Sequence, residues 1–274
     1  MKRSLFRHQY LRTRGSLTTL FVACAALVSA GALFMTTPVP ILEAGGMILC
    51  VITGFIFLPA VTLGLAIDYW RSAYGRGGYL TQSVPVSGST VYGVRLAYGA
   101  AALLVAMFAN VLLAAPPVLV TAVKEAPEGV GAIEFIRQGL AATEPPMTPV
   151  LAAMGAAFIF VSAFGYLVLS YFAASYGSEE RLGRLGVAGP IIVWLVVYVL
   201  VQVACVIGIA LIPLGADYID GAFTFISRDW FTVLLNNDQQ VSGAPLGFVP
   251  VLVAAALLQI WRTAHSWNHK VSLR

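Results

Sequence analysis

Six stretches of the chain run almost free of charge: residues 17–35, 46–67, 96–115, 150–172, 191–211 and 245–261. Apolar residues fill every helical face within them instead of alternating two by two. Each stretch is also far longer than a barrel strand, which leaves α-helices as the only element that satisfies the backbone in lipid. About 20 apolar residues cross the hydrocarbon layer, so the pattern predicts six crossings, the last being the shortest. Pro190 suits the first turn of the fifth span. Pro116-Pro117 and Pro213 are read as following the ends of the third and fifth spans, where a ring no longer breaks the hydrogen-bond ladder.

Composition agrees. The chain has 274 residues, 59% of them hydrophobic and 10% charged, with a mean hydropathy of +0.86. A soluble surface needs roughly a quarter of its residues charged, so lipid is the solvent for most of this chain. The length leaves room for one membrane domain over 1–274 and no large soluble one. Cys24, Cys50 and Cys205 all lie in apolar runs and have no metal-ligand spacing, which reads as small packing residues. Thirteen arginines against three lysines (Lys2, Lys124 and Lys270), amid abundant Ala, Gly and Val, suggest a GC-rich bacterial genome.

Charge orients the spans. With the amino terminus inside, the cytoplasmic segments collect Lys2, Arg3, Arg7, Arg12, Arg14, Arg71, Arg76, Arg95, Arg181, Arg184, Arg262, Lys270 and Arg274. Outside remain Lys124, Arg137 and Arg228 against nine acids, from Glu43 to Asp238. Basic residues near span ends stay in the cytoplasm, so the expectation is an all-α integral membrane protein with six transmembrane helices and both termini inside. The run of basic residues before the first span is not a signal peptide, since the apolar run is too long and five more follow. Segment 1–15, with Arg3, Phe6, Arg7, Tyr10, Leu11 and Arg14, is either an amphipathic interfacial helix or a basic tail. The outer loops, 116–149 and 212–244, are expected to carry short surface helices, as in Phe223, Ile226, Trp230, Phe231 and Leu234, or to be plain amphipathic lids.

Candidate chemistry is sparse. No G-x-x-x-x-G-K-[ST], H-E-x-x-H or G-x-S-x-G occurs, so no phosphate-cradling loop, zinc-protease pair or nucleophile elbow is present. His265 and His269 could share a helix face, as a metal pair or, beside Trp261 and Trp267, as part of a wet interfacial helix. Asp68 and Arg95 stand at span ends, from which side chains can snorkel. Asn110 and Gln202 are the deep amides: each either bridges helices or touches cargo along a translocation path. Ala152 and Ala156, and Gly155 and Gly165, point to close helix packing.

The segment between the second and third spans, Asp68-Tyr69-Trp70-Arg71-Ser72-Ala73-Tyr74-Gly75-Arg76-Gly77-Gly78-Tyr79-Leu80-Thr81-Gln82-Ser83-Val84-Pro85-Val86-Ser87, resembles the cytoplasmic loop of bacterial ABC-2 type transporter permeases. In those proteins a glycine, "YLT", a short gap and "LPVS" precede the third span. Here the match is Gly78, Tyr79, Leu80, Thr81, then Pro85, Val86 and Ser87. Val84 replaces the usual leucine, and Arg76-Gly77 stands where an acidic residue is common. The resemblance implies a permease subunit of an ATP-binding cassette exporter in the bacterial plasma membrane. Such a subunit pairs with a second copy or homologue and couples to a separate cytoplasmic ATPase that holds the ATP; this chain would hold no cofactor and bind no nucleic acid. It also implies that loop 68–95 is the coupling element, with Tyr69, Trp70, Arg71, Tyr74, Arg76, Gly78, Tyr79, Leu80, Thr81 and Pro85 meeting the ATPase. Large aromatic anchors beside positive charge suit such a contact, and an interfacial aromatic belt is the other reading. The rival functions are a membrane scaffold that transports nothing and an intramembrane enzyme with an unfamiliar site.

Overall fold

The computed structural model describes residues 2–75, 86–143, 148–179, 182–219, 222–235 and 243–269. Its elements in chain order are α1 (Lys2–Met35), α2 (Pro40–Ala73), α3 (Gly88–Glu125), α4 (Ala132–Ala141), α5 (Pro149–Tyr176), α6 (Ala188–Leu211), β1 (Leu214–Ile219), β2 (Ala222–Ser227), α7 (Trp230–Leu235), β3 (Ala244–Pro245) and α8 (Phe248–His269). Among the described residues, six helices are long and apolar enough to cross a membrane: α1, α2, α3, α5, α6 and α8. Their surfaces fit a lipid solvent, with Phe55, Phe108 and Leu211 each more than 70% exposed.

Three of these helices outrun the bilayer. At 1.5 Å per residue, the 34 residues of α1 and of α2 and the 38 of α3 give lengths of about 50–57 Å, against a hydrocarbon core of about 30 Å. Residues 2–16 are therefore not a separate short helix before the first span; they continue α1 without a break. Pro116 and Pro117 lie inside α3, which runs on to Glu125, so the paired prolines do not end it. Each proline removes one ladder donor, and transmembrane helices tolerate such rings where neighbouring groups satisfy the freed carbonyls. Pro213 does follow the end of α6, and Pro190 does lie in its first turn.

The chain divides into two compact units, residues 1–72 with 90–167, and 73–89 with 168–274. In the first unit, α1 and α2 form an antiparallel pair joined by residues 36–39. Thr36 and Thr37 turn their amides and hydroxyls back onto the carbonyls of Leu33 and Phe34, which closes the end of α1, while Pro40 opens α2. Just beyond this turn the backbones meet: a Cβ on Gly31 would overlap the Cys50 sulfur and the Gly46 carbonyl. Cys50 donates to the Val28 carbonyl at 3.4 Å, and Cys24, Cys50 and Cys205 are all buried free thiols, as their apolar setting predicts. Lys124, near the end of α3, donates to the Met35 carbonyl at 3.0 Å and to Glu43 at 2.5 Å.

In the second unit the close approaches are again at glycine. A Cβ on Gly177 would overlap Gly189 and Pro190, and one on Gly208 would overlap Val251 and the Gly247 carbonyl. The glycines singled out by spacing are different ones, since nothing lies within 4 Å of a Cβ at Gly155 or Gly165 and Ala152 and Ala156 are exposed. Small-residue spacing reports a smooth helix face, and it does not say whether a neighbour occupies that face.

The loop after α6 departs from an all-α fold. β1 and β2 form an antiparallel hairpin, and β1 also pairs with β3, giving the order β2-β1-β3. Trp230, 3% exposed, packs against Gly215 so closely that a Cβ there would meet its ring, and Arg228 lies over that ring at 5.9 Å. Only residues 230–235 of the expected helical run are helical. Phe223 and Ile226 belong to β2, because ladder pairing to Leu214–Ile219 overrides a local 3.6-residue spacing. In the other long loop a helix does form, α4, with no buried residue.

Candidate functional site

The connection from Asp68 to Arg95 holds the chemistry that the sequence singles out. Arg76, Gly78, Tyr79, Leu80, Thr81 and Pro85 lie outside the described residues. The flanks, up to Gly75 and from Val86, are described.

In the first unit the flanks are gripped by α1. Gln9 donates to Asp68 Oδ2 at 2.8 Å, and Arg12 donates to the same oxygen at 2.6 Å and to the Ser72 hydroxyl at 3.0 Å. Arg12 also reaches the Gln9 side-chain carbonyl at 3.0 Å, so one carboxylate, one amide and one guanidinium form a closed set. One turn on, Thr13 hydrogen bonds to the Tyr98 hydroxyl, and the Phe6 ring meets the Tyr98 ring edge-on at 5.3 Å. The amino-terminal part of α1 therefore touches the helices on both sides of the connection, Asp68 and Ser72 on α2 and Tyr98 on α3. The side chains that turn inward, Gln9 and Thr13, are each 4% exposed. Arg3, Arg7, Tyr10 and Arg14, at i, i+4, i+7 and i+11, are exposed.

Asp68 and Arg95 are both held by partners within the protein. Arg95 is 5% exposed, and its guanidinium lies 5.5 Å from the centroid of the fully buried Tyr69 ring. This cation–π arrangement makes Tyr69 an internal anchor of the connection's base instead of part of a contact surface. Arg71 is exposed and Trp70 half-buried.

In the second unit the flanks meet the end of α8. The Tyr74 and Trp267 rings approach edge to face at 6.1 Å. Gly88, which opens α3, sits so close to the Trp267 backbone that any Cβ would overlap its carbonyl. The next residue, Ser89, donates its amide to Asn268 Oδ1 at 2.9 Å. Trp267 is 7% exposed and packs inside the protein; of the two tryptophans only Trp261, stacked on His265 at 6.0 Å, is exposed. The His269 side chain lies outside the description. On its other side the end of α8 is tied to Glu179, which accepts from Arg262 at 2.8 and 3.0 Å and from Ser266 at 2.9 Å.

The two deep amides behave differently from each other. Gln202 is exposed and donates to the Tyr198 hydroxyl at 2.8 Å, four residues back on α6, so among the described residues this bond runs within one helix. Asn110, half-buried on α3, keeps a buried Oδ1 without a hydrogen bond among the described residues. They lie in separate units. Trp267 and Asn268 are the residues that sequence reasoning missed. The signal was weak: a tryptophan near the end of the last span reads as an interfacial anchor, and nothing local says that it faces Gly88, 179 residues away. No family model, curated protein or solved structure matches the chain.

Proposed function

We propose that the chain is the membrane subunit of an ATP-driven transporter, with both termini in the cytoplasm of a bacterial plasma membrane. It works with a second copy or homologue, and the connection between α2 and α3 receives force from a separate ATPase. One observation carries this reading: both described flanks of the connection are fastened by dedicated contacts, and the helices that bear them extend past the hydrocarbon. An idle loop has no need of a base built from Asp68, Arg12, Tyr69 and Arg95. A loop that must transmit displacement needs a stiff base, and the long helices α2 and α3 carry that displacement toward the bilayer. The resemblance of Gly78-Tyr79-Leu80-Thr81 and Pro85-Val86-Ser87 to the ABC-2 loop supports the same role. Export is the direction we infer from that resemblance, with Asn110 and Gln202 as the polar groups that cargo would pass.

Affinity purification from native membranes tests this. The chain should co-isolate with a nucleotide-binding subunit, and Trp70→Ala with Tyr79→Ala should lower that retention by at least about 30-fold, as the loss of an aromatic hot spot implies. Isolation as a folded, monodisperse protein with no ATPase would favour the scaffold reading. Sidedness is tested by single cysteines in a background lacking Cys24, Cys50 and Cys205. Position 87 should label from inside and position 128 from outside.

A further inference from the structure

We propose that the end of α8, through Trp267 and Asn268, is a positioning clasp for the coupling connection, joining it to the connection between α5 and α6. This rests on the transporter reading above and adds to it the residues that hold the loop in register.

All the contacts lie within one unit. Residues 262–268 of α8 touch two segments that are remote in sequence. One side of this short stretch is fixed by Glu179, whose two carboxylate oxygens both accept from Arg262 Nη2 and one of which also accepts from the Ser266 hydroxyl, with Arg262 Cζ 5.1 Å from the Tyr176 ring centroid. Charge-assisted hydrogen bonds of this kind are short and stronger than neutral ones. Ser266 is followed directly by Trp267 and Asn268, which address the other segment. Trp267 touches both its ends, Tyr74 at the exit from α2 and Gly88 at the entry to α3.

Asn268 does something more specific. The first amides of a helix have no partner in their own ladder, and the usual remedy is a side chain two or three residues upstream. Here the amide of Ser89, second in α3, is met by an amide oxygen from the far end of the chain. The start of α3 is thus set by α8. A helix whose first turn is capped from elsewhere moves with its cap, so displacement of the connection is shared with the Glu179 segment. Gly88 is obligatory for this geometry, because a side chain there would push the tryptophan backbone away.

The experiment has two readouts. The first needs no partner: Ala73→Cys, at a fully buried position beside Tyr74, in the background without native cysteines, is labelled by a maleimide in inside-out membrane vesicles. Trp267→Ala should raise the labelling rate at least about fivefold, since access to a buried site follows the free energy of local opening. Asn268→Ala should raise it less, and Trp267→Phe and Asn268→Asp should restore the parent rate, because each keeps the ring edge or the acceptor. The second readout is the co-isolated ATPase: in Trp267→Ala its amount should be unchanged, while its hydrolysis rate loses its response to the membrane subunit. Asn268 is exposed, so its variants test the proposal even if Trp267→Ala folds poorly. Unchanged labelling in folded Trp267→Ala and Asn268→Ala proteins would overturn the clasp. Raised labelling with normal ATP turnover would overturn its role in coupling. If the parent chain brings down no ATPase, the transporter reading fails and the coupling role fails with it, while the labelling result still decides the clasp.

Discussion

Where α1, α2 and α3 converge on the flanks of the connection, the fastening is made of charges and hydrogen bonds: Gln9, Arg12, Asp68, Ser72, and Thr13 with Tyr98. Where α5 gives way to α6, and where α6 meets α8, the fastening is bare backbone, with Gly177 on Gly189 and Gly208 on Gly247. The hydrophobic effect does little to drive one helix onto another inside lipid, so association rests on close packing and on polar contacts. The chain uses each where its solvent permits. Glycine contacts work at any depth and tolerate no added atom. Charged contacts are strong where water is scarce, and they can be exchanged for other chemistry of the same shape.

That contrast can be broken most severely at glycine. Gly177→Val places branched carbon onto Gly189 and Pro190, backbone that cannot rotate away, and should cost about 3 kcal/mol or more. The expected result is a collapse of monodisperse yield and of the thermal midpoint in detergent. A midpoint within a degree or two of the parent would mean that these helices separate without penalty.

Next comes the carboxylate at the α1–α2 junction. Asp68→Ala leaves the Arg12 guanidinium, whose side chain is 29% exposed, without its counter-charge and should cost about 1–3 kcal/mol. Replacing both partners, Arg12→Met with Asp68→Met, should recover most of this, since an unpaired charge costs more than an absent pair. A double-mutant cycle of Arg12→Met, Asp68→Met and the pair, read on thermal midpoints, measures the coupling; strict additivity would show that the two residues do not interact.

Glu179→Gln should cost somewhat less, about 1 kcal/mol. The amide carbonyl can still accept from Ser266 and Arg262, while the second acceptor of Arg262 and the charge assistance are lost. The same thermal scan reads it, and a drop as large as that of Asp68→Ala would place the larger burden on the α8 side.

The smallest effect belongs to Lys124 and Glu43. Their side chains are 36% and 45% exposed, so Glu43→Gln should shift stability by no more than about 0.5 kcal/mol, a shift that salt suppresses. A larger one that persists in high salt would show a drier site than these exposures describe.

The six spans were legible because a hydrocarbon solvent demands long apolar runs, whatever packs beside them. The buried cysteines, the start at Pro190 and the stop at Pro213 followed from the same local rules. What escaped was set by contacts between distant residues. Asp68 read as the edge of a span and Arg12 as one basic residue of the segment before the first; 56 apart in sequence, they pair where α1 and α2 run on beyond the apolar stretches. Phe223 and Ile226 fit a helix until Leu214–Ile219 supplies a strand to pair with. Gln202 looked like an interhelical bridge because a deep amide needs a partner, and Tyr198 one turn back is a sufficient one. Of the coupling connection, the sequence indicated the aromatic character but not its division into Tyr69 turned inward, Tyr74 against Trp267, and Arg71 left exposed.

The four-residue turn between α1 and α2 has a consequence for assembly during synthesis. Closing so short a loop costs little chain entropy, and the first tight contact, Gly31 against Gly46, lies right beside it. The pair can therefore zip from its tip toward its free ends as soon as both helices have entered the bilayer, without waiting for the rest of the chain. The Arg12–Asp68 contact lies at the far end of that zipper and closes last, so the base of the connection is set only after its two supporting helices are already side by side.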